Sequence, residues 1–175
     1  MDKQVVHDGK YIRVVRIGTW EFVERVNATG AVIIIPAFVK NGKPYIVLIK
    51  EYRVPLQAYN ISLPAGLVGD VHSEDHKDAA QRELLEETGY SAGRLRYLTE
   101  GHASSGLSNE LLVFYLADQL TKVSDGGGDG TEDITVQLVP IDSIDTWLEE
   151  RRKEHCCIDP KIYIALYFIN KFGVE

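Results

Sequence analysis

The chain has 175 residues, of which 45% are hydrophobic and 26% are charged, a composition typical of one globular domain and not of a disordered tail. Its 19 Lys and Arg residues against 26 Asp and Glu residues give a formal net charge of −7, which disfavours nonspecific binding to nucleic acids or anionic membranes. An anionic substrate must therefore be held by a few placed cations or by metal ions.

The N-terminal half is predicted to be rich in strands. It begins without the apolar core of a signal peptide, and no apolar run approaches the roughly 18 residues of a membrane span, so we expect a cytoplasmic protein with no membrane partner. Runs of Val, Ile, Tyr and Phe predict strands at 11–17, 21–26, 31–39 and 45–50. Turn residues occupy 41–44, Pro36 predicts a bulge or an unpaired edge, and 64–69 is predicted to be a loop.

The second half is predicted to mix helices and strands. A helix is expected from Ser73, as N-cap, to Thr88, with Gly89 ending it. Strands are then predicted at 94–99, 111–116 and 134–139, and helices at 143–153 and 160–172. The glycine-rich segment 124–130 is predicted to be a mobile loop, and Cys156 and Cys157 to be reduced thiols. This order indicates an α/β domain in which a mixed sheet packs between helices.

Three carboxylates are predicted to share one edge of the first helix. Glu86 and Glu87 lie three and four residues after Glu83, and each such like-charge pair costs about 0.2–0.5 kcal/mol. A positive partner is therefore expected, and oxygen ligands of this kind suit Mg²⁺ in phosphoryl chemistry. Arg82 is expected to pair with Glu86 without occupying the metal position. The alternative, a solvated acidic face, would be favoured for an isolated motif of this kind.

The wider spacing resembles the signature of the Nudix hydrolases. Gly66, Glu74, the run Arg82–Glu87 and Gly89 follow that signature in order. Seven residues separate Gly66 from Glu74 where the family has five, and we expect the additional two to bulge at Gly69–Asp70 and to leave the helix intact. The resemblance implies a Nudix fold, an α/β fold with a mixed β-sheet sandwiched between α-helices. It also implies divalent cations, Mg²⁺ with Mn²⁺ as an alternative, held by Glu83, Glu86, Glu87 and the carbonyl of Ala65.

Upstream segments resemble the ADP-ribose pyrophosphatase branch, whose members hydrolyse nucleoside diphosphate sugars. These segments are WEFVER at 20–25, EYR at 51–53 and LPAG at 63–66. The resemblance implies that Trp20 stacks on the base and that Arg25 and Arg53 contact the substrate. It further implies one domain over 1–175, in which residues 1–30 are exchanged across a homodimer and 31–175 form the core. The alternatives are a core or interface role for Trp20 and a surface cation at Arg53.

Two departures from that branch bear on the substrate. Ser62 stands where a glutamate is usual, and Ser105 stands where a proline associated with ADP-ribose preference is usual. Glu110 resembles a residue of the branch that lies near the sugar or the metal. ADP-ribose and a hexose-bearing relative such as GDP-mannose therefore both stay open as substrates.

The general base is expected on the acidic loop before the late strand. Asp129, Glu132 and Asp133 are the candidates, and the resemblance favours Glu132, with Glu86 and Arg82 assisting. The predicted reaction cleaves the pyrophosphate to a nucleoside monophosphate and a sugar phosphate. Two alternatives are a non-catalytic ligand-sensing module, which would usually lose the carboxylates, and an RNA-decapping or nucleotide-sanitising enzyme. The net charge and the upstream segments argue against the latter, so no nucleic-acid partner is expected.

Overall fold

The computed structural model describes residues 2–69, 74–128 and 133–174. A three-stranded antiparallel sheet begins the chain, and a larger mixed sheet with three helices follows it. The strands of the first sheet are β1 (Lys3–Asp8), β2 (Ile12–Ile17) and β3 (Trp20–Arg25). The strands of the second are β4 (Gly30–Lys40), β5 (Lys43–Arg53), β6 (Ala58–Ser62), β7 (Ala65–Val68), β8 (Tyr90–His102), β9 (Leu111–Lys122), β10 (Thr135–Pro140) and β11 (Cys157–Ile158). The helices are α1 (His76–Thr88), α2 (Ile144–Lys153) and α3 (Lys161–Phe172).

Strand β4 lies at the centre of the larger sheet and is covered on both faces. Val32 and Ile34 pack in a cluster with α1, whereas Ile33 and Ile35 pack in a second cluster with α2 and α3. Successive side chains of a strand point to opposite faces, so one apolar run supplies both cores. The sheet is therefore sandwiched between helices, which confirms the expected fold class.

Pro36 marks a change of partner along one edge of β4. Residues 30–33 pair with β7 and 37–40 pair with β5, while the other edge, through Pro36, runs parallel to β9. A residue without an N–H is tolerated where one ladder stops and another starts. The predicted unpaired edge at this proline is thus confirmed.

The turn between β4 and β5 is also as predicted. Asn41 and Gly42 both have positive φ, 53° and 74°, and Lys40 pairs with Lys43. Two left-handed residues between paired strands make the type I′ turn that Asn-Gly favours. Cys156 and Cys157 are free thiols, in agreement with the prediction.

Several boundaries differ from the sequence-based prediction. Segment 64–69 is not wholly a loop, because 65–68 form β7 against β4. Strands β1, β6 and β11 were not predicted. Each is held more by pairing than by its own composition: β1 pairs with β2, β6 with β5, and β11 with β6. Helix α1 begins at His76, with Asp75 as its N-cap; Ser73, the predicted cap, lies outside the described residues.

The first sheet meets the second through β3. The N–H of Val23 donates to the carbonyl of Leu107 at 2.8 Å, and Val23 forms a bridge with Ser108. This sheet also carries exposed apolar side chains, namely Val5, Val6, Tyr11, Ile12 and Trp20. Among the described residues, no helix has the length and apolar character needed to cross a membrane.

Candidate active site

Helix α1 presents the predicted carboxylates along one edge. The Asp75 side chain accepts hydrogen bonds from the N–H groups of Lys77 and Asp78 at its start, and these bonds lower the pKa of Asp75. Gly89, with φ of 71°, ends it. The insertion after Gly66 therefore leaves the helix intact, as expected, although Asp70 lies outside the described residues.

Arg82 ties these carboxylates together. Its guanidinium donates to Glu83 at 2.7 Å and to Glu86 at 3.2 Å, so the predicted pair with Glu86 is confirmed. It also makes two bonds to Glu74, of 2.7 and 3.2 Å. The hydrogen bond to Glu74, with further support from Glu83, raises the pKa of Arg82 further above its ordinary value. Arg82 is thus a fixed cation that orients three carboxylates.

Glu87 is joined to the strand opposite the helix. Its side chain is buried, and its Oε2 accepts a hydrogen bond from the Ala65 N–H at 3.0 Å. A buried carboxylate is stabilised by such hydrogen-bond donors. This bond places the backbone of Ala65 beside the carboxylate edge; whether its carbonyl binds a metal stays a prediction.

Glycine at position 66 leaves the space that Glu83 fills. A Cβ at Gly66 would lie 1.8 Å from Glu83 Cδ and 1.9 Å from Glu83 Oε1. Side chains do not tolerate such distances, so any larger residue must push this carboxylate away. The close approach explains why a glycine precedes the helix here.

We expect Gly66→Ala to displace Glu83 and to lower kcat/KM by about 10- to 100-fold, the usual cost of disturbing groups that orient a metal ligand. Gly101→Ala is the matched control, since a Cβ at Gly101 meets nothing within 4 Å. Steady-state kinetics with thermal unfolding of both variants checks this. Equal activity of the two variants would contradict the role of Gly66.

The carboxylates open onto a cleft of about 730 Å³. Four cations line it, and they are Arg25, Arg53, Arg82 and Lys161. Five carboxylates line it as well, and they are Glu83, Glu86, Glu87, Glu110 and Asp159. Negative charge is thus in excess among the described lining residues. A pyrophosphate would be repelled here unless divalent cations entered with it.

Each predicted arginine of the cleft has a carboxylate partner. Arg25 Nε lies 2.6 Å from Glu110 Oε1, and Arg53 Nη2 lies 2.6 Å from Glu51 Oε1. Arg25, Glu110 and Arg53 all line the cleft. The structure therefore brings these three predicted substrate contacts together with the helix edge.

Trp20 lies apart from them. It starts β3, whereas Arg25 ends it, so about 16 Å of strand separates the two. Trp20 is 66% exposed and is not among the described residues that line this chain's cleft. A stacking role for Trp20 therefore requires another chain or a large movement.

The glycine-rich segment is anchored on helix α1 in its described part. The N–H groups of Gly127 and Gly128 donate to carbonyls in the last turn of the helix, those of Glu87 and Glu86, at 2.9 and 3.0 Å. A Cβ at Gly126 would lie 2.5 Å from the Thr88 carbonyl carbon. The loop thus leaves directly from the carboxylate edge. Of the predicted bases, Asp133 is exposed, whereas Asp129 and Glu132 lie outside the described residues.

Sequence reasoning missed three polar residues of the cleft. Asn60 on β6 and the pair Asp159 and Lys161 before and at the start of α3 all line it. Lys161 Nζ lies 2.6 Å from Asp159 Oδ2. No spacing in the sequence signals their place, because β6, β11 and α3 meet only in the folded chain.

The donor set suits a hard divalent cation. Carboxylate oxygens and a backbone carbonyl are its preferred ligands, and the cleft carries excess negative charge. Within the described part of the chain, no three His, Cys, Asp or Glu side chains already stand close enough to hold a metal ion. Because Arg82 contacts Glu83 and Glu86, an entering cation must compete with a guanidinium for them.

Known proteins resemble this chain in sequence and in fold. The sequence matches the NUDIX domain family over residues 28–156. It is 31% identical over 148 residues to the methanol dehydrogenase activator of Bacillus methanolicus, covering 84% of this chain and 75% of that protein. It is 30% identical over 174 residues to the ADP-sugar pyrophosphatase of Mus musculus, covering 90% of this chain and 78% of that protein. A solved structure titled as an ADP compounds hydrolase has the same fold, with a TM-score of 0.71 at 21% identity, covering 98% and 91%.

Proposed function

The chain belongs to the Nudix family, and from that membership we propose that it hydrolyses the pyrophosphate of a nucleoside diphosphate sugar, releasing a nucleoside monophosphate and a sugar phosphate. One observation carries the proposal: the carboxylate edge of α1 opens into a cleft with four cations but excess negative charge. Such a cleft accepts a pyrophosphate only together with divalent cations. Nudix hydrolases generally use them.

The cation is proposed to be Mg²⁺, with Mn²⁺ as a substitute, held by Glu83, Glu86, Glu87 and the carbonyl of Ala65. When bound, it neutralises phosphate charge and makes water more acidic. Arg82 keeps the carboxylates in place through its contacts with Glu83 and Glu86. No covalent bond between the chain and the substrate is needed.

The remaining groups bind the substrate and move a proton. Arg25 and Arg53, each already beside a carboxylate, exchange part of that contact for phosphate oxygens, which a guanidinium fork suits. Glu110 helps orient the sugar through Arg25. Glu132 takes the proton of the attacking water as it aligns with phosphorus.

A panel of nucleoside diphosphate sugars tests the proposal. The pyrophosphatase relative acts, by its name, on ADP-sugars, which supports ADP-ribose as the first substrate to try, with GDP-mannose as the alternative. We expect hydrolysis of one or both with Mg²⁺, loss of activity with EDTA, and recovery with added Mg²⁺ or Mn²⁺. Absence of hydrolysis across the panel with either cation would refute the proposed function.

The assembly is proposed to be a homodimer that exchanges residues 1–30, while 31–175 form the core of a single domain. Two observations support it: β1 to β3 expose apolar side chains, and Trp20 lies outside its own chain's cleft. The protein is further proposed to be cytoplasmic and to bind neither nucleic acid nor membrane.

Light scattering at micromolar concentration is expected to give twice the 19.6 kDa of one chain. Trp20→Ala should then raise KM with little change in kcat, because base stacking holds the substrate and takes no part in the chemistry. A monomer with full turnover would contradict both the dimer and the stacking role of Trp20.

A further inference from the structure

Ser62 lines the cleft and carries a buried hydroxyl. Its side chain is 5% exposed, and its Oγ has no hydrogen-bond partner among the described residues. Buried hydroxyls in folded proteins nearly always have a partner. A hydroxyl in this state at the wall of a substrate cleft is a group available to a ligand.

Asn60 adds an amide to the same wall. It lies two residues before Ser62 on β6, so both side chains point to one face of the strand, and both line the cleft. Ile61, between them, points into the core. Strand β6 is paired with β5 on one side and β11 on the other, so this wall is rigid and its backbone groups are engaged in the sheet. The side chains of this wall are therefore the groups with which it can contact a ligand.

The wall itself is uncharged, which favours hydroxyl groups over a phosphate as its ligand. Asp159 is pinned beside it, since its N–H donates to the carbonyl of Ile61 at 2.9 Å. Glu87 lies on the other side, where it accepts a hydrogen bond from Ala65. Ala65 follows Ser62 by three residues. Lys161 pairs with Asp159 at 2.6 Å, and Glu87 is proposed to hold the cation. Asn60 and Ser62 therefore form an uncharged stretch between two carboxylates that are already engaged. An amide and a hydroxyl both donate and accept hydrogen bonds, so they suit the hydroxyl groups of a ligand.

We propose that Asn60 and Ser62 form a subsite for the hydroxyl groups of the substrate's terminal sugar. This inference rests on the proposed function and adds to it the residues that distinguish the sugar. Vicinal hydroxyls occur in both the terminal sugar and the nucleoside ribose. The terminal sugar is assigned here because Trp20, the residue proposed to stack on the base, lies on β3 and is not among the described residues that line this cleft, whereas Asn60 and Ser62 line it together with the carboxylates proposed to hold the metal.

The test compares Ser62→Ala with wild type on three substrates. These are ADP-ribose, the methyl ester of ADP, which lacks the terminal sugar, and the 2′-deoxyadenosine analogue of ADP-ribose. We expect kcat/KM to fall about three- to tenfold on ADP-ribose and on its deoxy analogue, the usual effect of one hydrogen bond, and to stay unchanged on the methyl ester. Ser143→Ala, an exposed serine outside the cleft, should change none of the three.

The melting temperature separates binding from folding. Removing a hydroxyl that has no partner should leave the melting temperature of Ser62→Ala equal to wild type or above it. Three results for Ser62→Ala would overturn the subsite. They are an equal loss of kcat/KM on all three substrates, no loss on any of them, and a loss on ADP-ribose but not on its deoxy analogue. If the wild-type protein is inactive on every substrate, the proposed function is refuted and the subsite with it. If the wild type is active and Ser62→Ala has the same ratio of kcat/KM values between substrates, the subsite alone is refuted.

Discussion

Glu87→Gln should lower kcat by about 10³-fold while the fold persists. Removing one charged ligand takes away several kcal/mol of stabilisation from the transition state, and each 1.36 kcal/mol is tenfold in rate. The glutamine still offers an oxygen to the Ala65 N–H, the bond that holds Glu87 in place. Circular dichroism and thermal unfolding close to wild type, with activity nearly abolished, is the expected result.

Glu150→Gln is the matched control for that variant. Glu150 is an exposed carboxylate on α2, outside the cleft, so the same chemical change there should leave kcat within about twofold of wild type, as surface substitutions usually do. Raising Mg²⁺ should recover part of the Glu87→Gln activity if the lost group binds metal. Full activity of Glu87→Gln at low Mg²⁺ would remove Glu87 from the metal site.

Glu132→Gln should lower kcat by about 10²- to 10⁴-fold with little change in KM. A general base acts on water in the transition state and does not hold the ground-state complex, so its loss appears in kcat. Single-turnover rates together with substrate affinity measured by calorimetry separate the two effects. Gly127 and Gly128 bond to the backbone carbonyls of Glu87 and Glu86, so the described part of the loop lies against the helical turn that carries two of the proposed metal ligands.

The neighbouring acids serve as controls for Glu132. Asp129→Asn and Asp133→Asn remove the same charge from the same loop and should each cost little activity. A larger loss in Asp129→Asn would assign the base to Asp129. If none of the three variants loses activity, water activation depends on the metal alone, and the proton-transfer role of this loop is wrong.

Helix α1 was predictable because its signals are local. The carboxylates at 83, 86 and 87 lie within one helix, where residue spacing fixes the shared face, and the glycine that ends the helix follows at 89. The Arg82–Glu86 contact follows from the same spacing. The N-cap was misplaced because Ser73 and Asp75 are both good caps, and local chemistry does not decide between them.

The β6 and β7 strands were not predictable in the same way. Each has five residues or fewer. Strand β7 is held by β4, and β6 by its neighbour β5 and by the distant β11, so pairing and not local composition fixes both strands. The places of Asn60 and Lys161 in the cleft depend on that pairing. The motif spacing predicted Glu74 as part of the signature, but only the fold shows that it anchors Arg82 with two hydrogen bonds.

Hydrolysis of ADP-ribose in ¹⁸O-labelled water, with products identified by mass spectrometry, tests the central claim most directly. With Mg²⁺ present, the expected result is AMP and ribose 5-phosphate, with one ¹⁸O atom in one of the two phosphates, since water attacks one phosphorus without a covalent intermediate. With EDTA, neither product should form. Equal product formation with EDTA, or products that retain the intact pyrophosphate, would contradict metal-dependent cleavage between the two phosphates.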